Sequence, residues 1–150
     1  MIDSFRCCLH ANHRFFINPP IAYFATMSDE NPSSEPEAEV TLKWYKIIFG
    51  LKKQFGKKPD MNAIMFLIGM NELGRVKNYS KEEKTDLLHI ATCKLLSYEG
   101  YYKLESYDKE GWPHYELKIT PPYADLLKQE LLLKKLIVKY FEEKELIEDI

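Results

Sequence analysis

The chain has 150 residues, 45% of them apolar and 13% aromatic, with a formal net charge of −2. That is enough for one well-packed core and too little for two comfortable domains, and the near-neutral balance excludes a uniformly basic nucleic-acid binder. The charge is nonetheless uneven: residues 43–84 hold ten Lys or Arg against four acids, and residues 85–150 hold nine Lys against thirteen Asp or Glu. The positive surplus in the middle invites an anionic partner, although ordinary solvated lysines give the same count.

The first 26 residues carry Arg6, His10, His13 and Arg14 inside their apolar stretches, which spoils them as a signal-peptide core. No run of eighteen apolar residues occurs, so no transmembrane helix is expected. Met27 opens an acidic stretch typical of the start of a soluble protein. The expectation is that translation begins there and that residues 1–26 over-extend the gene. Cys7 and Cys8 would then vanish and leave Cys93 alone, which fits a reducing cytoplasm and no disulfide framework. The cluster Cys7, Cys8, His10 and His13 gathers four soft ligands, but adjacent cysteines followed by those histidines do not match structural zinc spacings. Residues 28–36 combine acids, serines and two prolines with almost no apolar surface and are expected to be disordered. The chain therefore divides into a leader, 1–36, and a single domain, 37–150.

Apolar residues at Val40, Trp44, Ile47, Ile48, Leu51 and Phe55 recur with helical spacing and predict an amphipathic helix that Gly56 and Pro59 end. Asp60 can cap a second helix, MNAIMFLIGMNEL, stopped by Gly74. Its Ile64–Ile68 run is apolar on all sides, which marks a buried element, and Gly69 suits a close helix contact. Ser80 opens a third helix with Glu83 three residues on, a capping box. There Leu87, Leu88, Ala91 and Leu95 share a face while Ile90, Cys93 and Leu96 spread round the rest, so cover on more than one side is expected.

Two short β-like runs then flank Asp108-Lys109-Glu110-Gly111, read as a four-residue hairpin loop. Setting Tyr107 opposite Trp112 pairs Glu105 with His114, Lys103 with Glu116 and Tyr101 with Lys118, which matches aromatic with aromatic and acid with base. That register sends Tyr102, Leu104, Pro113, Tyr115, Leu117 and Ile119 to the core side. Thr120 and the Pro121-Pro122 pair launch a last helix that could reach Glu148, roughly 40 Å at 1.5 Å per residue. Its wide apolar stripe takes in Tyr123, Leu126, Leu127, Leu131, Leu133, Ile137, Val138 and Phe141, with Leu132 and Leu136 off it. A homodimer through this helix, or cover by the first two helices, would bury that stripe.

Three helices, a two-stranded hairpin in GYYKLESYDKEGWPHYELKITP and a long final helix make a mainly α, α+β chain that resembles a winged-helix domain with an added dimerisation helix. The resemblance implies a third helix in the DNA major groove and a hairpin on the backbone. The charges agree poorly: Lys81, Lys84 and Lys94 are balanced by Glu82, Glu83 and Asp86, and residues 101–119 hold three lysines against four acids. A second anion-binding candidate is Lys52, Lys53, Lys57 and Lys58, with Arg75 and Lys77 if the loops meet. Lysines at a helix end also complement the helix dipole.

The motifs of serine hydrolases, phosphate-binding loops, zinc proteases and paired-cysteine redox sites are all missing from the sequence, and no cofactor is implied. Asp86, His89 and Cys93 share a helical face as the nearest approach to a catalytic or metal-ligating set, but they read more simply as packed residues with local hydrogen bonds. The outward hairpin face offers Tyr101, Tyr107 and Trp112 beside His114, and aromatics in such a cluster anchor protein partners. NAIMFLIGMNELG and DLLHIATCKLLSYEGYYKLESYDKEGWPHYEL are similar to passages of small bacterial proteins without an assigned activity, over most of residues 40–145. That resemblance implies a bacterial cytoplasmic domain and supplies no site residue. The expected function is a non-enzymatic binding protein, with a DNA-binding regulator as the alternative.

Overall fold

A computed structural model describes residues 35–121 and 126–147 as four helices and one antiparallel hairpin, in the order expected from the sequence. The expectations for translation from Met27, for the cysteine–histidine cluster and for Tyr123 lie outside these residues. Helix α1 (Glu35–Phe55) begins two residues inside the expected leader, with Pro36 in its first turn, where a missing amide breaks no intrahelical bond. Helix α2 (Met61–Leu73) follows its caps as read: the Asp60 carboxylate accepts the Ala63 amide at 2.7 Å, and Gly74 closes the helix in the left-handed conformation.

Helix α3 (Lys81–Ser97) has the full capping box, the Ser80 hydroxyl accepting the Glu83 amide and the Glu83 carboxylate accepting the Ser80 amide. It lies between two apolar clusters. Ala91, Leu95 and Leu96 join α1, α2 and the final helix α4 (Leu126–Glu143) in the larger core, around Ile47, Leu51, Ile64, Ile68, Leu136, Ile137 and Tyr140. Leu87, Ile90 and Cys93 join Leu73, Tyr79, Trp112 and Tyr115 in a smaller one. Where α2 meets α3, a Cβ on Gly69 would stand 2.8 Å from the carbonyl carbon of Leu87, closer than non-bonded carbons approach, so the glycine sets the helix separation.

The last helix corrects the expected stripe. All of its buried residues, Leu136, Ile137, Val138, Tyr140 and Phe141, lie in its second half. Leu136, placed off the stripe from sequence, is fully buried because α4 packs on both α1 and α3, while Leu126 and Leu127 are exposed. The helix ends at Glu143, short of the expected Glu148, and spans roughly 27 Å at 1.5 Å per residue. Tyr140 ties α4 to α2: its hydroxyl donates to Glu72 at 2.8 Å and accepts from the Asn71 amide at 2.6 Å, and burial pushes its ionisation far up. Lys43 ties α1 to α4, reaching Glu142 at 2.6 Å and Glu39 at 2.8 Å. These two carboxylates raise the Lys43 ammonium well above its usual value, through Glu142 first. No helix among the described residues is long and apolar enough to cross a membrane.

Candidate interaction surface

Strands β1 (Tyr102–Tyr107) and β2 (Pro113–Leu117) pair as expected at their open end, Lys103 opposite Glu116, with the Lys118 amide donating to the Tyr101 carbonyl at 2.8 Å. Beyond Leu104 the expected register fails. Ser106 faces His114 and Tyr107 faces Pro113, with Glu105 as the extra residue of a bulge. The reason lies in the turn. The Asp108 amide donates to the Trp112 carbonyl at 3.0 Å, so Asp108 and Trp112 close the hairpin around three residues, with Gly111 at φ 84°. The Asp108 carboxylate then accepts the amides of Glu110 at 2.8 Å and Trp112 at 2.9 Å. Burial alone would raise this carboxyl, but those two amides and the His114 imidazole outweigh it and hold Asp108 below the usual carboxylate range.

The four aromatic-face candidates are thereby separated. Trp112 is only 6% exposed and packs with Tyr115 in the smaller core cluster, whereas Tyr107 is 59% exposed. Tyr101 is half-buried against the larger core, and His114 is half-buried with Nε2 3.5 Å from the Asp108 carboxylate. The faces of β2 stay as expected, with Pro113 and Tyr115 buried, but Trp112 falls in the turn before the strand and packs into the smaller cluster, which removes the expected row of three exposed aromatics. Leu104 and Ile119, assigned to the core side, are exposed.

Lys52 and Lys53 occupy the last turn of α1, and Lys57 and Lys58 follow it; all four are exposed. The expected help from Arg75 and Lys77 goes elsewhere. The Arg75 guanidinium packs against the hairpin turn at Gly111, and Lys77 pairs with Glu83 at 2.6 Å. Helix α3 exposes Lys81, Glu82, Lys84 and Thr85 at its start, and from Asp86 to Tyr98 no residue is exposed. Within it the Cys93 sulfur lies 3.6 Å from His89 Nε2, so the expected contact forms, but Cys93 is 1% exposed among Leu87, Ile90, Trp112 and Tyr115. Burial raises the Asp86 carboxyl, helped by Glu83 and Glu82. Among the described residues no group of three or more His, Cys, Asp or Glu is placed to hold a metal ion.

The surface that sequence reasoning missed is the outer side of α1. Val40, Trp44, Ile47, Ile48 and Leu51 face the core, as expected. On the opposite side Leu42, Tyr45 and Phe49 are 60%, 63% and 70% exposed. At 100° per residue these three fall within about 60° of one another and point away from the core stripe. The signal was present as a second i, i+3, i+7 series in the same helix, hidden by the clearer inner one. Phe55, counted from sequence in the core stripe, is exposed at the helix end beside Lys52 and Lys53. Comparison with protein-family models, curated proteins and solved structures returns no match to this chain.

Proposed function

We propose that this protein is a non-enzymatic interaction protein whose binding surface is the outer face of α1. The observation that carries the proposal is the apolar stripe Leu42, Tyr45 and Phe49, held outward by a helix whose other side is firmly in the core. Isolated exposed apolar residues are ordinary, but two aromatics and a leucine aligned on one rigid helix face form a contiguous patch of the kind that marks protein contacts. The face costs little to order on binding, because Ile47, Leu51 and the Lys43 bridge to Glu142 already fix the helix. The DNA-binding alternative would require the start of α3 to enter a groove, but there Lys81 and Lys84 are balanced by Glu82 and Glu83 and nothing from Asp86 to Tyr98 is exposed, which favours the interaction reading.

A photo-reactive residue at position 45 or 49 is expected to form protein adducts in cells that make this protein, and Leu42→Asp should suppress them. The same residue at position 107 on the hairpin is the comparison. Adducts from position 107 alone, or adducts from position 45 that persist with Leu42→Asp, would overturn the proposal.

A further inference from the structure

We infer that the partner of the α1 face is a second copy of this chain, with the two α1 helices packed antiparallel about a twofold axis near Tyr45. This rests on the reading of that face as the binding surface and names what covers it. The spacing supplies the first argument. Ala38, Leu42, Tyr45, Phe49 and Lys52 follow one another at steps of four and three, the seam of a helix that packs lengthwise on another helix. Ala38 is small, and Lys52 ends the apolar run, so the contact is three large side chains long on each copy. With the axis near Tyr45, the Tyr45 rings of both copies meet at the centre, and Phe49 of each copy lies against Leu42 of the other.

Charge supplies the second argument, and it selects the orientation. Before the stripe α1 carries exposed Glu39 on the flank of that face and Glu37 further round the helix, and Glu39, Lys43 and Glu142 together hold one negative charge in excess; exposed Lys46 beside Tyr45 sits near the axis and meets its own copy in either orientation. After the stripe it carries exposed Lys52 and Lys53. Antiparallel docking brings the acidic end of each helix against the basic end of the other, twice by symmetry, whereas parallel docking would set like against like. An anionic lipid surface also accepts an apolar stripe flanked by lysines, but Glu39, on the flank of the stripe, would be brought against its like charge. A helix pair of this length falls at the small end of specific interfaces, so a reversible dimer in the micromolar range is expected.

The test is a charge swap followed by sedimentation velocity at low salt. Lys52→Glu with Lys53→Glu makes both ends of α1 acidic, and Glu37→Lys with Glu39→Lys makes both ends basic. Each variant should self-associate at least about tenfold more weakly than the wild type, and an equimolar mixture should recover the dimer as a heterodimer. Thermal melts matching the wild type establish that the variants fold, and Phe49→Asp should abolish the dimer without altering the melt. A wild type that stays monomeric to about 1 mM overturns the inference. So does a dimer indifferent to both charge variants or to Phe49→Asp, or a monomer that co-sediments with phosphatidylglycerol vesicles. If that monomer still gives position-45 adducts with another protein, self-pairing fails while the interaction surface stands.

Discussion

Replacing Gly69 by alanine sets two opposing effects against each other. In an exposed helix interior the change stabilises by about 1 kcal/mol, because alanine loses less backbone freedom on folding. Here the added Cβ would stand 2.8 Å from the Leu87 carbonyl carbon and 3.0 Å from the Leu87 Cβ, against an ordinary contact near 3.5–4.0 Å. Backbone cannot swing aside as a side-chain tip can, so α2 and α3 must part by about 1 Å and loosen Ile64, Met65 and Ile68 from their neighbours. Overpacking of this kind costs about 1–3 kcal/mol, and with backbone as the obstacle the upper part of that range applies. The expected net loss is about 2 kcal/mol, a fall of about 8 °C in Tm for a domain of this size. Circular dichroism melts and urea titrations measure it, with Gly50→Ala as the control. At Gly50 the nearest atom to an added Cβ is the flexible Ile147 Cδ1 at 3.1 Å, so that variant should hold or gain stability. A Gly69→Ala protein as stable as the wild type would refute the close contact between α2 and α3.

The hairpin supplies two further predictions. Trp112→Ala should lose about 3–5 kcal/mol in urea titrations, as a large side chain removed from the smaller core, whereas Tyr107→Ala should stay within about 0.5 kcal/mol of the wild type. Asp108→Ala strips the acceptor from the Glu110 and Trp112 amides and should cost about 1–2 kcal/mol at pH 7. Because the folded carboxyl is held below its unfolded value near 3.9, the stabilisation from ionised Asp108 is full above that pH and is lost as pH falls through the depressed folded value. The gap between wild type and Asp108→Ala should accordingly shrink below about pH 4, and a gap that widens there would contradict the assignment.

What the sequence made legible was mostly local. The Asp60 cap, the Ser80–Glu83 box and the Gly74 stop each depend on neighbours a few residues away, and all three stand as read; the close helix contact at Gly69, against Leu87 of α3, is the one longer-range feature that also stands. What it concealed depends on contacts between distant elements or on the competition between two nearly equal local choices. The hairpin could close on Tyr107 and Trp112 or on Asp108 and Trp112. Pairing chemistry favoured the first, while the carboxylate of Asp108 reaching two turn amides goes with the second, and a single bulged residue reconciles the two halves. Leu136 was misplaced because an isolated helix cannot show that two neighbours will pack on it, and Leu126 and Leu127 because the core ends before the helix does. The outer stripe of α1 escaped notice for a related reason: once Trp44, Ile47 and Leu51 had explained the helix as amphipathic, Leu42, Tyr45 and Phe49 fell on the side assumed polar.

Amide chemical shifts recorded across a dilution series test the α1 surface most directly, since they report each residue without altering any. If the outer face of α1 is the binding surface and a second copy its occupant, shifts should move with concentration around Leu42, Tyr45, Phe49 and the lysines after them, and stay fixed in the hairpin. Concentration-dependent shifts confined to Leu127 and Leu131 of α4 or to Tyr107, with none along α1, would contradict it.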